Sequence, residues 1–138
     1  MGKLERRIKD VEKALRTLKE ISCEPYSVMV RDAAIQRFEY TFEAFWKFLR
    51  DYLKEAEGIR CNSPKSCFRE ALGAGLISEE KTVTCLEMTD NRNLTAHTYI
   101  EQIAEQIYRK IEQYYKLMEA IFNLAKAKLQ NKSQMESK

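Results

Sequence analysis

The sequence has few residues that interrupt helices and few that titrate near neutral pH. Among its 138 residues there are only 4 Gly, 2 Pro and 1 His. So few turn-forming residues argue against a turn-rich all-β protein, and a charged fraction of 33% is typical of long amphipathic helices. We therefore predict an all-α fold, and the length of the chain fits one domain.

The sequence also lacks a long apolar run and a block of one charge. No stretch is long enough to span a membrane, and the first ten residues, MGKLERRIKD, contain no apolar signal region. The 24 basic and 21 acidic residues are mixed along the chain, so that the net charge is +3 and the long-range field is modest. We expect a cytoplasmic protein without a membrane partner, and the charge balance permits nucleic acid without indicating it.

The four cysteines are Cys23, Cys61, Cys67 and Cys85. Disulfide frameworks are typical of small secreted domains, which this N-terminus does not indicate. Cys61 and Cys67 are further apart than the cysteines of a zinc knuckle, and the single His cannot complete such a site. We expect four free thiols in a reduced protein, no metal and no other cofactor.

Apolar residues recur at steps of three and four in four main segments, as they do in amphipathic helices. The first segment ends before Pro25, which lacks an amide hydrogen and disfavours helix in the residue before it. The second is predicted to run from about 28 to 57, roughly 45 Å at 1.5 Å per residue, and to end at Gly58. A short third helix is predicted to begin with Ser63 as N-cap and Pro64 in its first position.

The fourth helix is predicted to open at Ser78, and the last one carries apolar residues from Ile103 to Ala125. Together the segments predict an up-and-down antiparallel helical bundle of four long helices plus one short helix. We assign residues 1–130 to this single domain and expect the polar tail, 131–138, to be disordered.

The apolar stripe of the fourth helix turns polar midway. Counted in steps of three and four residues, the positions of this stripe are Val83, Leu86, Asp90, Asn93 and His97. Burying an acid, an amide and an imidazole without partners would cost several kcal/mol, so this face is expected to meet water, a ligand or another chain. A site that breaks a local rule of folding is where function is best sought.

Four residues of this predicted helix form the candidate site. Asn93 and His97, four apart, share one face, and Arg92 and Tyr99, seven apart, are predicted to share the adjoining stripe. An imidazole exchanges a proton near neutral pH, and a guanidinium holds a phosphate through two parallel hydrogen bonds. The set suits cleavage of RNA, with His97 as general acid or base and Arg92 stabilising charge at phosphorus. In the alternative interpretation His97 is not catalytic and only makes a hydrogen bond in a polar contact at the end of a helix.

Three blocks of sequence resemble the nucleotidyltransferase substrate-binding proteins of the HEPN superfamily. The blocks are R-D-A-A-I-Q-R-F-E-Y-T-F-E-A-F-W-K at 31–47, S-P-K-S-C-F-R-E-A at 63–71 and D-N-R-N-L-T-A-H-T-Y at 90–99. Within the third block, residues 92–99 match the R-x4-H-x-Y motif of that superfamily.

This resemblance implies a helical homodimer whose motif helices meet at a shared cleft, encoded beside a minimal nucleotidyltransferase. It implies that the chain is the toxin of a toxin-antitoxin module, a metal-independent endoribonuclease with RNA as substrate. Arg92, Asn93 and His97 would belong to the ribonuclease cleft, and the nucleotidyltransferase would silence the toxin by AMPylation of Tyr99. The alternative is a noncatalytic subunit that presents substrate to the nucleotidyltransferase.

Three acids are candidate residues of the cleft wall: Asp90, Glu39 and Glu43. Glu39 and Glu43 are four apart and lie beside Arg37 and Lys47 in the sequence. A solvated or salt-bridged helix face is the alternative for such acids.

Overall fold

Five helices make up the part of the chain that this computed structural model describes, residues 2–97 and 99–136, without the side chains of His97 and of residues 133–136. The helices are α1 (Gly2–Ser22), α2 (Val28–Glu57), α3 (Pro64–Gly73), α4 (Glu79–His97) and α5 (Glu101–Glu136). Within those residues there is no strand. The predicted all-α bundle of four long helices and one short helix is confirmed.

The ends of α2 and α3 follow from their capping residues. The Ser27 hydroxyl accepts a hydrogen bond from the Val30 amide, which satisfies a donor that the first turn of α2 leaves without a helical partner. Gly58 ends the helix with a φ of 67°, a left-handed conformation that glycine adopts without steric cost. Ser63 caps α3 and Pro64 is its first residue, so the predicted bounds of α2 and the predicted start of α3 are confirmed.

The long helix α2 packs against each of the other four helices. Its inward face carries the aromatic residues Phe38, Phe42, Phe45 and Phe48, all of them buried. Phe38 stacks on Tyr114 of α5 with ring centroids 5.6 Å apart, and Phe48 meets Phe122 edge-on at 5.0 Å. These contacts fix α5, and with it the start of that helix near residue 101, relative to α2.

The inward face of α4 differs from the predicted one. Val83 is 66% exposed, and Asp90 and Asn93 are exposed as well, whereas the buried residues are Thr82, Cys85, Met88 and Thr89. The hydroxyls of Thr82 and Thr89 each donate a hydrogen bond of 2.8 Å to the carbonyl four residues earlier, which allows both threonines to be buried. The stripe through Val83 was therefore wrong by one residue, and its members Asp90 and Asn93 lie in solvent.

The last helix is longer than predicted. α5 continues to Glu136, so that the backbone of 131–136 is helical where we expected a disordered tail. That segment contains Lys, Gln, Met and Glu, which are good helix formers, and neither Gly nor Pro to end the helix. None of the helices in the described ranges combines the length and the apolar character that crossing a membrane requires.

Cys61 and Cys67 form a disulfide bond, contrary to the expectation of four free thiols. The turn that leads into α3 folds the chain back on itself, which brings the two Cα atoms to 5.2 Å despite the wide spacing in sequence. Cys23 and Cys85 are free, the former exposed and the latter buried in α4. Burial raises the pKa of the Cys85 thiol to about 12.

Reducing this disulfide should lower the free energy of unfolding by about 2 kcal/mol, because the bond closes a short loop, of sequence separation 6, in the unfolded chain. Urea unfolding with and without a thiol reductant measures the difference. A Cys61→Ser, Cys67→Ser double variant is the matched control, since its unfolding midpoint should resemble that of the reduced protein and should not change when reductant is added. Equal midpoints for oxidised and reduced wild type would contradict the prediction.

Candidate functional site

The second half of α4 turns Arg92 toward α2. The Arg92 Nη2 atom lies 3.2 Å from Glu43 Oε2, and the other oxygen of Glu43 lies 3.3 Å from Lys47 Nζ. One turn further along α4, the Thr95 hydroxyl lies 2.8 Å from Glu39 Oε2. The structure thus brings Arg92 together with two of the predicted cleft acids. We call these five residues, Arg92, Glu43, Lys47, Thr95 and Glu39, the Arg92 cluster.

The guanidinium of Arg92 is only partly satisfied. Its Nε atom is buried, and no acceptor lies within hydrogen-bond distance of it among the described residues. A buried donor without a partner costs about 1 to 3 kcal/mol. Exchanging the single contact with Glu43 for two parallel bonds to a phosphate would recover that cost, because the fork of a guanidinium matches two oxygens of one phosphate.

The other predicted residues, Asp90, Asn93 and His97, also lie on α4. Asn93 is exposed on α4. Asp90 Oδ1 lies 2.6 Å from Lys65 Nζ of α3, and the Asp90 carboxylate therefore faces away from the Arg92 cluster. His97 is the last residue of α4, and its imidazole lies outside the described side chains.

Tyr99 does not share a helical stripe with Arg92, so this part of the prediction was wrong. α4 ends at His97 and α5 begins at Glu101, with Tyr99 in the connection. The weak helix formers Asn93 and Thr95 near the end of α4 are consistent with its stopping there. The Tyr99 side chain is 68% exposed, but its hydroxyl reaches the first turns of α2 and not Arg92.

The partner of Tyr99 is Arg31, whose side chain is 1% exposed. Arg31 Nη2 donates a hydrogen bond of 2.6 Å to the Tyr99 hydroxyl oxygen. Its Nη1 lies 2.9 Å from Glu105 Oε1 and its Nε 3.0 Å from Asp32 Oδ1. The bond to Glu105 raises the pKa of Arg31, and hydrogen bonds from Tyr26 and Arg31 lower the pKa of Glu105. Both groups are therefore charged, and α2 and α5 are joined beside Tyr99.

A cavity of about 330 Å³ lies beside Tyr99, and Glu39 and Thr95 of the Arg92 cluster are among the residues that line it. Its lining combines polar and apolar side chains: Asp32, Gln36, Glu39, Thr95 and Tyr99 on the one hand, and Ile35, Ile100, Ile103, Ala104 and Ile107 on the other. The cavity is contributed by α2, the end of α4 and the start of α5. In the described residues there is no group of three or more His, Cys, Asp or Glu with the proximity that a metal site requires.

Sequence reasoning missed Arg31 and Asp32 as members of the site. Arg31 precedes Ile35 by four and Phe38 by seven, so the stripe of α2 already placed a charged residue at a core position. Lys, Glu, Arg and Asp are almost never fully buried without a partner. The stripe could therefore have predicted that acceptors surround Arg31, although not which residues supply them.

The chain is similar to known proteins over most of its length. Residues 2–129 match the model of the family described as "Nucleotidyltransferase substrate binding protein like". A Haemophilus influenzae protein named "Probable ribonuclease HepT" is 33% identical over 103 residues, which are 71% of this chain and 67% of that protein.

Two solved structures share the fold. A crystal structure from Thermus thermophilus is 50% identical, with a TM-score of 0.80 over 83% of this chain and 98% of that one. The second is a tri-AMPylated Shewanella oneidensis HEPN toxin in complex with its MNT antitoxin, with a TM-score of 0.74 over 90% of this chain and 96% of that one. The latter is 14% identical, so it supports a common fold alone.

Proposed function

This chain belongs to the family of nucleotidyltransferase substrate binding protein-like proteins, and on that premise we propose that it is the HEPN-type ribonuclease toxin of a toxin-antitoxin pair. Its substrate is RNA, and Arg92, Asn93 and His97 form the cleaving surface. A minimal nucleotidyltransferase neutralises it by transferring AMP to Tyr99. The family description supports the pairing with a nucleotidyltransferase, and the relative named as a probable ribonuclease supports the activity.

The observation that carries the ribonuclease proposal is the state of Arg92. Its guanidinium is held near the end of α4, with a buried Nε for which the described residues provide no acceptor. In the proposed reaction the 2′-oxygen of a ribose attacks the adjacent phosphorus, and the bond from phosphorus to the 5′-oxygen breaks. The 2′-hydroxyl loses its proton and the departing 5′-oxygen gains one, with His97 as the general base or acid, and Arg92 stabilises the charge that develops on the phosphoryl oxygens. Because the nucleophile belongs to the RNA itself, no metal-bound water is needed.

RNA cleavage by the purified chain in the presence of EDTA tests this function. We expect shortened RNA with chelator and without any added protein. If RNA stays intact while the chain stimulates nucleotide transfer by its nucleotidyltransferase, the chain is the noncatalytic substrate-binding subunit. The ion pair of Arg92 with Glu43, at 3.2 Å, supports that second function, because it would give this arginine a structural rather than a catalytic role.

We propose further that two copies form a homodimer around the motif. Leu94 and Ile100 are 45% and 43% exposed and lie on either side of His97 in the sequence, where an apolar surface is costly to leave in water. A two-fold axis beside α4 would bury them and place each Arg92 cluster next to its copy.

Light scattering should therefore give twice the protomer mass of 16.3 kDa at micromolar concentration. Leu94→Glu should shift the protein toward the protomer mass, because it would place a charge in the apolar contact. Val83→Glu is the matched control, since Val83 is 66% exposed on α4 but remote from the motif. A wild-type particle of protomer mass would refute the dimer.

A further inference from the structure

We propose that Asp32 is the base that removes the phenolic proton of Tyr99 during AMPylation, and that Arg31 holds the Tyr99 oxygen in place for the reaction. The inference rests on the proposed modification of Tyr99 and assigns to it two residues of the modified protein itself. The acceptor would then bring its own catalytic carboxylate, and the nucleotidyltransferase would supply the nucleotide.

Arg31, Asp32 and Tyr99 form a closed triangle of polar contacts. Arg31 Nε donates to Asp32 Oδ1 at 3.0 Å, and Arg31 Nη2 donates to the Tyr99 oxygen at 2.6 Å. The Tyr99 oxygen lies 3.3 Å from Asp32 Oδ2. Since a guanidinium can only donate, the Tyr99 oxygen must accept from Arg31, and its own hydrogen is left for Asp32. The phenolic proton therefore already has a carboxylate as its acceptor.

One member of this triangle, Arg31, is held rigidly, and the other two, Asp32 and Tyr99, are accessible to solvent. Arg31 is buried and bound to Glu105, whereas Asp32 is 42% and Tyr99 68% exposed. A nucleotide can therefore approach the phenolic oxygen from solvent while Arg31 keeps that oxygen in place.

The chemical step uses this arrangement directly. As the Tyr99 oxygen attacks the α-phosphorus of ATP, a bond from oxygen to phosphorus forms and the bond from that phosphorus to the pyrophosphate oxygen breaks. The phenolic proton passes to Asp32 Oδ2, and pyrophosphate leaves. The guanidinium of Arg31 stabilises the negative charge that develops on the phenolic oxygen before the new bond is complete. In the AMPylated product the guanidinium of Arg31 lies beside the new phosphodiester and also compensates its negative charge.

The test uses the intact mass of the protein to measure the rate of AMPylation in a single turnover. Nucleotidyltransferase, ATP and Mg²⁺ are in excess. Asp32→Asn should lower the maximal rate by about 10²- to 10⁴-fold, the usual contribution of a general base, and should leave the KM for ATP unchanged. Glu101→Gln is the matched control. It also removes one carboxylate next to Arg31, at 3.5 Å, but Glu101 has no contact with the Tyr99 hydroxyl, so the rate should fall far less.

The outcomes separate this inference from the proposed function. If wild-type protein gains no AMP on Tyr99, the proposed neutralisation itself is refuted. If wild type is modified and Asp32→Asn reacts at the same rate, the proposal for Asp32 alone is overturned, and the base belongs to the nucleotidyltransferase. Asp32→Glu restores a carboxylate and should recover part of the rate. If Asp32→Glu and Asp32→Asn are equally slow, the role of Asp32 is structural and the inference is also lost.

Discussion

His97→Ala should slow RNA cleavage by about 10²- to 10⁴-fold, because the imidazole moves a proton in the transition state and alanine cannot. Helical content and dimer mass should stay as in wild type. A fluorogenic RNA in EDTA gives the rate, and growth of cells that express the variant gives the loss of toxicity. The chelator should not alter the wild-type rate.

Arg92→Ala should reduce cleavage comparably through the loss of charge stabilisation, and Arg92→Lys should recover only part of the rate, because an ammonium cannot make two parallel bonds to phosphate. Glu43→Gln provides the control within the Arg92 cluster. It weakens the ion pair at 3.2 Å without removing the guanidinium, so cleavage should persist. Full activity in both His97→Ala and Arg92→Ala would refute the assigned roles.

Tyr99→Phe should abolish modification by the nucleotidyltransferase and leave the protein toxic when the two are expressed together. The phenylalanine ring keeps the shape of the side chain but lacks the oxygen that would accept AMP. Intact mass after incubation with ATP and Mg²⁺ should rise by one or more AMP units in wild type and not in the variant. Tyr40→Phe is the matched control, because Tyr40 is similarly exposed, at 63%, but lies outside the Arg31 contacts.

Two results would contradict this account of control. One is a mass increase that maps to a residue other than Tyr99, and the other is a Tyr99→Phe variant that the partner still neutralises. In either case inhibition would come from formation of the complex rather than from the modification. On Tyr99, the added phosphate would lie beside Arg31, and the nucleoside beside the cavity that Glu39 and Thr95 of the Arg92 cluster also line.

Helix boundaries were predictable wherever a local cap determines them. Ser27, Gly58 and Ser63 act through neighbours within one turn, so the sequence pattern contains the information that sets these ends. The inward face of α4 was not predictable in the same way. Buried threonines there satisfy their hydroxyls on helix carbonyls, and a pattern that counts only apolar residues assigns them to the surface.

The candidate site was predictable only for residues that lie close together in the sequence. The motif predicted Arg92 and His97, and the four-residue spacing predicted that Glu39 and Glu43 share one face of α2. The contact of Tyr99 with Arg31 spans a sequence separation of 68 and depends on where α4 ends. A continuous helical count through Tyr99 assigned it to the wrong arginine. The arginine that Tyr99 does contact, Arg31, is brought to it by the packing of α2 against α5, which no local sequence pattern specifies.

The buried thiol of Cys85 can be used to measure how often α4 opens. An alkylating reagent added to the native protein meets the exposed sulfur of Cys23 at once, whereas Cys85 is fully buried against the core. Its sulfur reacts only in molecules whose motif helix has transiently separated from the bundle. The slow phase of labelling therefore measures how often the helix that carries Arg92 and His97 opens. A nucleotidyltransferase that holds this helix closed would slow that phase, even in a complex in which no AMP has been transferred.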